Sequence, residues 1–143
     1  VAGKDILFFA AGCMVEAALD AAKLLNRKGI YPTVVNARFI KPLDEEAIRS
    51  LSAQHKLIVV LSENCRSGGL GEAVEDVIAR AGLSSRVLSL EPADSFVPQG
   101  KPAELRKMLG LDAESICASV LSASTAPDTA GEKKLFRLFG KRS

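Results

Sequence analysis

The sequence predicts an α/β domain, with a mostly parallel sheet and helices on both of its faces. Three observations carry this. Short apolar runs (ILFFAA at 6–11, YPTVVNA at 31–37, LIVVL at 57–61, RVLSL at 86–90) alternate with stretches whose apolar residues recur at helical spacing. The links between them are short and hold Gly, Pro or Asp. LIVVL has no polar position, as expected of a strand covered on both sides.

The first run needs its own justification, because ILFFAAGC also resembles the processing site of an exported lipoprotein. The run is short, and acidic Asp5 lies against it. Directly after Cys13, residues Val15, Ala18, Leu19, Ala22 and Leu25 form one apolar helix face, with Glu16, Asp20 and Lys23 opposite. A flexible tether has no such face, so strand, glycine turn and helix is the reading. Gly29 ends the helix. After the second strand, Pro42 and Asp44 open a helix. Asp44 serves as N-cap, Glu45 and Glu46 suit the positive end, and Ala47, Ile48 and Leu51 face inward. The third strand runs through a polar link into SGGLG (67–71). The next helix is marked by Val74, Val77, Ile78 and Ala81, and Gly82 ends it. Beyond the fourth strand and the loop EPADSFVPQGKP, helices are expected at about 102–109 and 113–123, the last capped by Asp112. The domain is therefore placed at 1–123. Residues 124–143 form a polar, then basic tail expected to be flexible, with Leu135, Phe136, Leu138 and Phe139 as a short amphipathic segment.

Composition narrows the function. With 19 Lys and Arg against 17 Asp and Glu, the net charge of +2 is too balanced to argue for nucleic acid or an anionic surface. Aromatic residues make up 5% and there is no Trp, which leaves little for base stacking. No apolar run approaches the roughly 20 residues of a membrane span. Cys13, Cys65 and Cys117 are widely spaced and fit neither a disulfide framework nor a zinc site. Cys13 and Cys117 read as small core residues, and Cys65, beside Arg66, as incidental. His55, the one histidine, is expected to end the second helix rather than to catalyse.

SENCRSGGLG (62–71) follows a buried strand and opens a helix. Its glycines suit either an anion held on backbone N–H groups or a tight turn packed against a neighbouring subunit. It matches neither a dinucleotide fingerprint nor a phosphate loop with Lys-Ser/Thr. Arg38, Glu63 and Asp94 lie at or just past strand ends, the edge where open α/β sheets bind ligands. These residues alone make no catalytic set.

VVNARFIKPLDEEAI (34–48), LIVVLSENCRSGGLGEAV (57–74), the PADSF segment (92–96) and LGLDAESI (109–116) resemble the C-terminal domain of transketolase-like thiamine diphosphate enzymes. Among these the 1-deoxy-D-xylulose-5-phosphate synthases are the nearest. The resemblance covers residues 3 to 123. It departs at Glu91-Pro92-Ala93-Asp94, where the family usually reads Gly-Leu-Pro-Asp. The resemblance implies a three-layer α/β/α fold with a mostly parallel, five-stranded mixed sheet whose edge strand is antiparallel. It implies a homodimer of cytoplasmic multidomain chains, whose parent enzyme joins pyruvate to glyceraldehyde 3-phosphate with thiamine diphosphate and Mg²⁺. The Gly-Asp-Gly motif that binds that cofactor is absent here, so the resemblance brings no catalytic, cofactor or metal residue to this chain. It does imply that Arg38, Pro42 and Asp44 shape one loop, that Glu63, Asn64, Gly68, Gly69 and Gly71 shape the turn facing the rest of the enzyme, and that Asp94 lies on the last loop. The same domain in a transketolase or a 2-oxoacid dehydrogenase beta subunit, and a free-standing binding module, are the alternatives.

Overall fold

The computed structural model describes residues 3, 5–93 and 96–125. Within them the chain forms β1 (Ile6–Ala10), α1 (Met14–Asn26), β2 (Thr33–Asn36), α2 (Glu45–Ser52), β3 (Leu57–Leu61), α3 (Leu70–Arg80), β4 (Arg86–Leu90), α4 (Pro102–Met108) and α5 (Ala113–Thr125). ILFFA is a strand, as its apolar run required. The last helix reaches two residues past its predicted end, and the tail from 126 lies outside the described residues.

The strands pair in the order β2-β1-β3-β4, and every pairing is parallel. The expected five-stranded mixed sheet is corrected to four parallel strands among the described residues. The chain past β4 shows why it adds none there. Pro92, Pro98 and Pro102 lack the N–H a ladder needs, and the described backbone stays irregular until α4.

Two central strands with no exposed residue separate two apolar layers, because successive side chains point to opposite faces. Phe8, Val59 and Leu61 face α1 and α5, whose Ala18, Leu25, Ile116 and Val120 complete that core. Leu7, Phe9, Ile58 and Val60 face α2 and α3, meeting Ile48, Leu70 and Val74. This division follows from connection handedness. The chain steps from β1 outward to β2 through α1, then back across to β3 and on to β4 through α2 and α3. The reversal leaves a crevice at the carboxyl ends of β1 and β3.

The caps are where the sequence placed them. Asp44 accepts the Ala47 N–H at 2.9 Å, and Gly29 leaves α1 at φ 79°. Asp112 accepts both the hydroxyl of Ser115, at 2.6 Å, and its N–H, at 3.1 Å. The Ser115 hydroxyl, more than any other group, holds the Asp112 carboxyl below its usual range. A depressed pKa contributes stability that is complete above the unfolded value of about 3.9 and is lost as pH falls through the lower folded value. Asp112→Asn, which keeps a capping oxygen but cannot titrate, should therefore lose less melting temperature than the wild type between pH 5 and pH 3. Parallel losses in the two proteins would refute the assignment.

Candidate functional site

All the loops that leave the carboxyl ends of the strands gather at one edge. At the crevice, Gly12 takes φ 58° and turns the chain into α1, with Cys13 at the N-cap position. The Cys13 thiol donates to Glu63 Oε2 at 2.8 Å, bridging the ends of β1 and β3. Arg106 of α4 donates from Nε to Glu63 Oε1 at 2.6 Å. One carboxylate thus ties together two strand ends and a helix from far along the chain. The hydrogen bond to Glu63 pushes the Cys13 thiol up, which keeps it protonated and a poor nucleophile. The same bond, and then the Arg106 guanidinium, hold Glu63 below its ordinary carboxylate range. The expectation that Cys13 is a core residue is therefore corrected. It is exposed, because it sits one turn past the buried strand; Cys117 is buried, as expected.

The glycine turn holds no open cradle. The Gly71 N–H, at the start of α3, donates to Glu91 Oε1 at 3.2 Å, and Ser89 donates its hydroxyl to the other oxygen of Glu91. The Gly68 N–H donates to Glu72 Oε2 at 2.8 Å. Two carboxylates of the chain itself occupy the positive end of α3 and complement its dipole. A Cβ on Gly71 would overlap Ser89 Oγ and the Glu91 carboxylate, and one on Gly69 would overlap the Cys65 carbonyl oxygen. Gly68 takes φ 68° with open space around it. Close approach at Gly69 and Gly71, and a left-handed turn at Gly68, account for the three glycines. Exposed Asn64 uses its N–H on the Ser62 hydroxyl at 3.1 Å. Arg66 pairs with Glu75 at 2.8 Å, and the Cys65 sulfur reaches the Ser67 carbonyl at 3.7 Å.

Past β2, exposed Arg38 lies over the ring of Phe39, 5.9 Å from its centroid, and the loop continues through Pro42 to the Asp44 cap. Beneath this loop is a cavity of about 310 Å³, walled by Phe9, Val35, Ile48, Leu70 and Val74. A second cavity, of about 450 Å³, opens beside α4, where Glu63 and Arg106 meet the apolar groups of Val97, Leu105 and Leu109. Asp94 lies outside the described residues. His55 stands at the opposite end of the sheet, after α2. Its Nδ1 meets the Leu51 carbonyl at 2.8 Å, so Nδ1 carries the proton and Nε2 faces the Thr33 hydroxyl at 3.0 Å. It closes the C-terminal turn of α2, as expected, but as a buried bridge to β2.

The structure ties Glu63 to Cys13 and Arg106, and places Arg38 and Asp44 around the cavity that Leu70, between Gly69 and Gly71, also lines. Sequence reasoning missed Glu91, Arg106 and the role of Cys13. Only Glu91 left a trace, as the departure from the usual Gly in its loop.

These features define a doubly wound α/β module whose strand-end carboxylates are engaged by its own loops and helices. The chain belongs to the family described as transketolase, C-terminal domain, which matches residues 1–116. It is 43% identical over 129 residues to 1-deoxy-D-xylulose-5-phosphate synthase 1 of Geobacter sulfurreducens, covering 87% of this chain and 20% of that protein. It is 39% identical over 122 residues to the 1-deoxy-D-xylulose-5-phosphate synthase of Dehalococcoides mccartyi, covering 84% of this chain and 19% of the relative. The chain thus spans about a fifth of the length of these relatives. Among solved structures, a split gene transketolase described as an inactive beta4 tetramer superposes with a TM-score of 0.79 at 33% identity, covering 85% of this chain and 40% of that one. No helix among the described residues is long and apolar enough to cross a membrane.

Proposed function

We propose that this chain is the C-terminal assembly domain of a 1-deoxy-D-xylulose-5-phosphate synthase. That enzyme condenses pyruvate with glyceraldehyde 3-phosphate, releases carbon dioxide, and feeds isoprenoid, thiamine and pyridoxal synthesis in the cytoplasm. The observation that carries the reading is the run of identity to these synthases over more than four fifths of the chain. In this reading thiamine diphosphate and Mg²⁺ are bound by other domains of a homodimeric enzyme. The residues here do not fit them. The N–H groups of Gly68 and Gly71 already bond carboxylates, and among the described residues no three His, Cys, Asp or Glu side chains stand together to hold a metal ion. Glu63, Gly68, Gly69 and Gly71 shape the edge that meets the rest of the enzyme, with Arg38, Asp44 and Asn64 on the same set of loops; Asp94 lies outside the described residues. The likeness to the split gene transketolase favours a second reading, in which the parent is a transketolase.

The test is to isolate the native protein from its source with an antibody against this chain, then measure its mass and its activity. An assembly several times heavier than 15.1 kDa that releases carbon dioxide from pyruvate supports the synthase. A heavy assembly that transfers two-carbon units between sugar phosphates, with no use of pyruvate, supports the transketolase. Recovery at this chain's own mass, with neither activity, refutes both.

A further inference from the structure

A cavity of about 730 Å³ opens at the amino ends of β1, β3 and β4, the end of the sheet away from Glu63 and the glycine turn. The turns that close α1, α2 and α3 wall it, through Ile30, Gln54 and Leu83. Ile30 and Leu83 are only partly buried and give the walls an apolar surface.

The cavity also offers charge of both signs. Lys56 and Arg86 line it side by side, since the Arg86 N–H donates to the Lys56 carbonyl at 2.8 Å. Lys56 is exposed and forms no ion pair among the described residues. Asp5 lines the cavity too, but its carboxylate already accepts the Tyr31 N–H at 2.8 Å. At the rim, the last carbonyls of three helices present the negative ends of their dipoles. A hollow with two cations inside, negative helix ends around it and apolar walls suits a peptide of mixed charge with a large apolar side chain.

Helix α5 leads such a peptide to the spot. Ala123 and Ser124, in its last turn, form part of the cavity wall, and the chain runs on from 126 to 143. The continuation carries acids first, at Asp128 and Glu132, then Lys133 and Lys134, then Leu135 and Phe136. An extended chain covers about 3.3 Å per residue, so Asp128 reaches roughly 13 Å from Ser124 and Glu132 roughly 26 Å. Both distances are enough to bring an acid to Lys56 and Arg86. A tethered segment also needs little intrinsic affinity, because its local concentration is on the order of millimolar.

We propose that residues 126–136 fold back over the amino edge of the sheet and occupy this cavity. Asp128 and Glu132 face Lys56 and Arg86, Lys133 and Lys134 lie toward the helix ends, and Phe136 packs on the apolar walls. The assignment is independent of the function proposed above, which concerns the opposite edge.

Photocrosslinking tests it. The full chain is prepared with p-benzoylphenylalanine in place of Phe136, irradiated, and the joined peptides are mapped by mass spectrometry. The crosslinks should lie within one chain and join position 136 to residues 53–57 or 83–86. Asp128→Asn with Glu132→Gln, changes outside the packed core, should lower their yield about threefold at low salt, as expected for two modest ion pairs. Crosslinks to other parts of the domain, or none, overturn the placement. Crosslinked dimers near twice 15.1 kDa overturn it in favour of a second copy as the site's owner. A yield that ignores the loss of both acids overturns the charge pairing.

Discussion

Gly71→Val should destabilise the domain by roughly 3 kcal/mol, combining overpacking with the loss of a partly buried hydrogen bond. A Cβ at this position meets Ser89 Oγ and the Glu91 carboxylate. Neither group has an easy retreat. Ser89 is on β4, in register with Val60 of the central strand β3, and Glu91 is held between the Gly71 N–H and the Ser89 hydroxyl. The larger side chain must push β4 away from the start of α3 or drive the carboxylate off the helix N-terminus. Even Gly71→Ala should be costly, since the overlap begins at Cβ. Glu91→Gly should rescue part of the Gly71→Ala loss, because it removes one of the two groups the new methyl overlaps and frees the Ser89 hydroxyl to turn away. Urea midpoints for the two single variants and the double variant measure that coupling. A Gly71→Val protein with the wild-type midpoint would show that the close approach does not exist.

The second large effect is Phe8→Ala, expected to cost about 3–5 kcal/mol. Phe8 is fully buried at the middle of β1, in register with Val34 on one side and Val59 on the other, in the layer under α1 and α5. Its removal leaves a hole among residues already fixed by the sheet, which relaxes poorly. Phe39→Ser makes the matching comparison. It alters the same residue type at an exposed position and should shift stability by no more than about 0.5 kcal/mol. Thermal or chemical unfolding of the two variants should separate them widely. Equal losses would mean that the loop after β2 packs more tightly than its exposure indicates.

What the sequence revealed depended on how local the physics was. Strand–helix alternation, the uninterrupted LIVVL run, the Asp44 and Asp112 caps and the Gly29 stop involve residues within a few positions of one another, and each is found where expected. The arrangement at the carboxyl edge is not local. Glu63 and Arg106 are separated by 43 positions, Cys13 and Glu63 by 50, and Gly71 and Glu91 by 20. No periodicity encodes such pairs. Gly71 could be picked out as a glycine of close approach, but not that the approaching group was the chain's own Glu91. Cys13 was misplaced for a related reason. A small sulfur residue between a buried strand and an amphipathic helix reads as core, and only the turn at Gly12 carries it into solvent. The extra antiparallel strand came from resemblance alone, and the described residues of the proline-rich segment after β4 do not provide it.

The packing of α5 has a consequence for the order in which this domain can complete itself. Its Ile116 and Val120 cover the layer built by α1 and the central strands. A chain growing toward its C-terminus can close the layer under α2 and α3 once residues up to about position 90 have emerged. The layer holding Phe8, Met14 and Leu25 stays open to water until residues 113–125 follow. During synthesis, then, one side of this domain is finished early and the other remains adhesive almost to the end. A ribosome stalled between positions 90 and 110 would present that unfinished side to whatever chaperone or neighbouring chain is nearby.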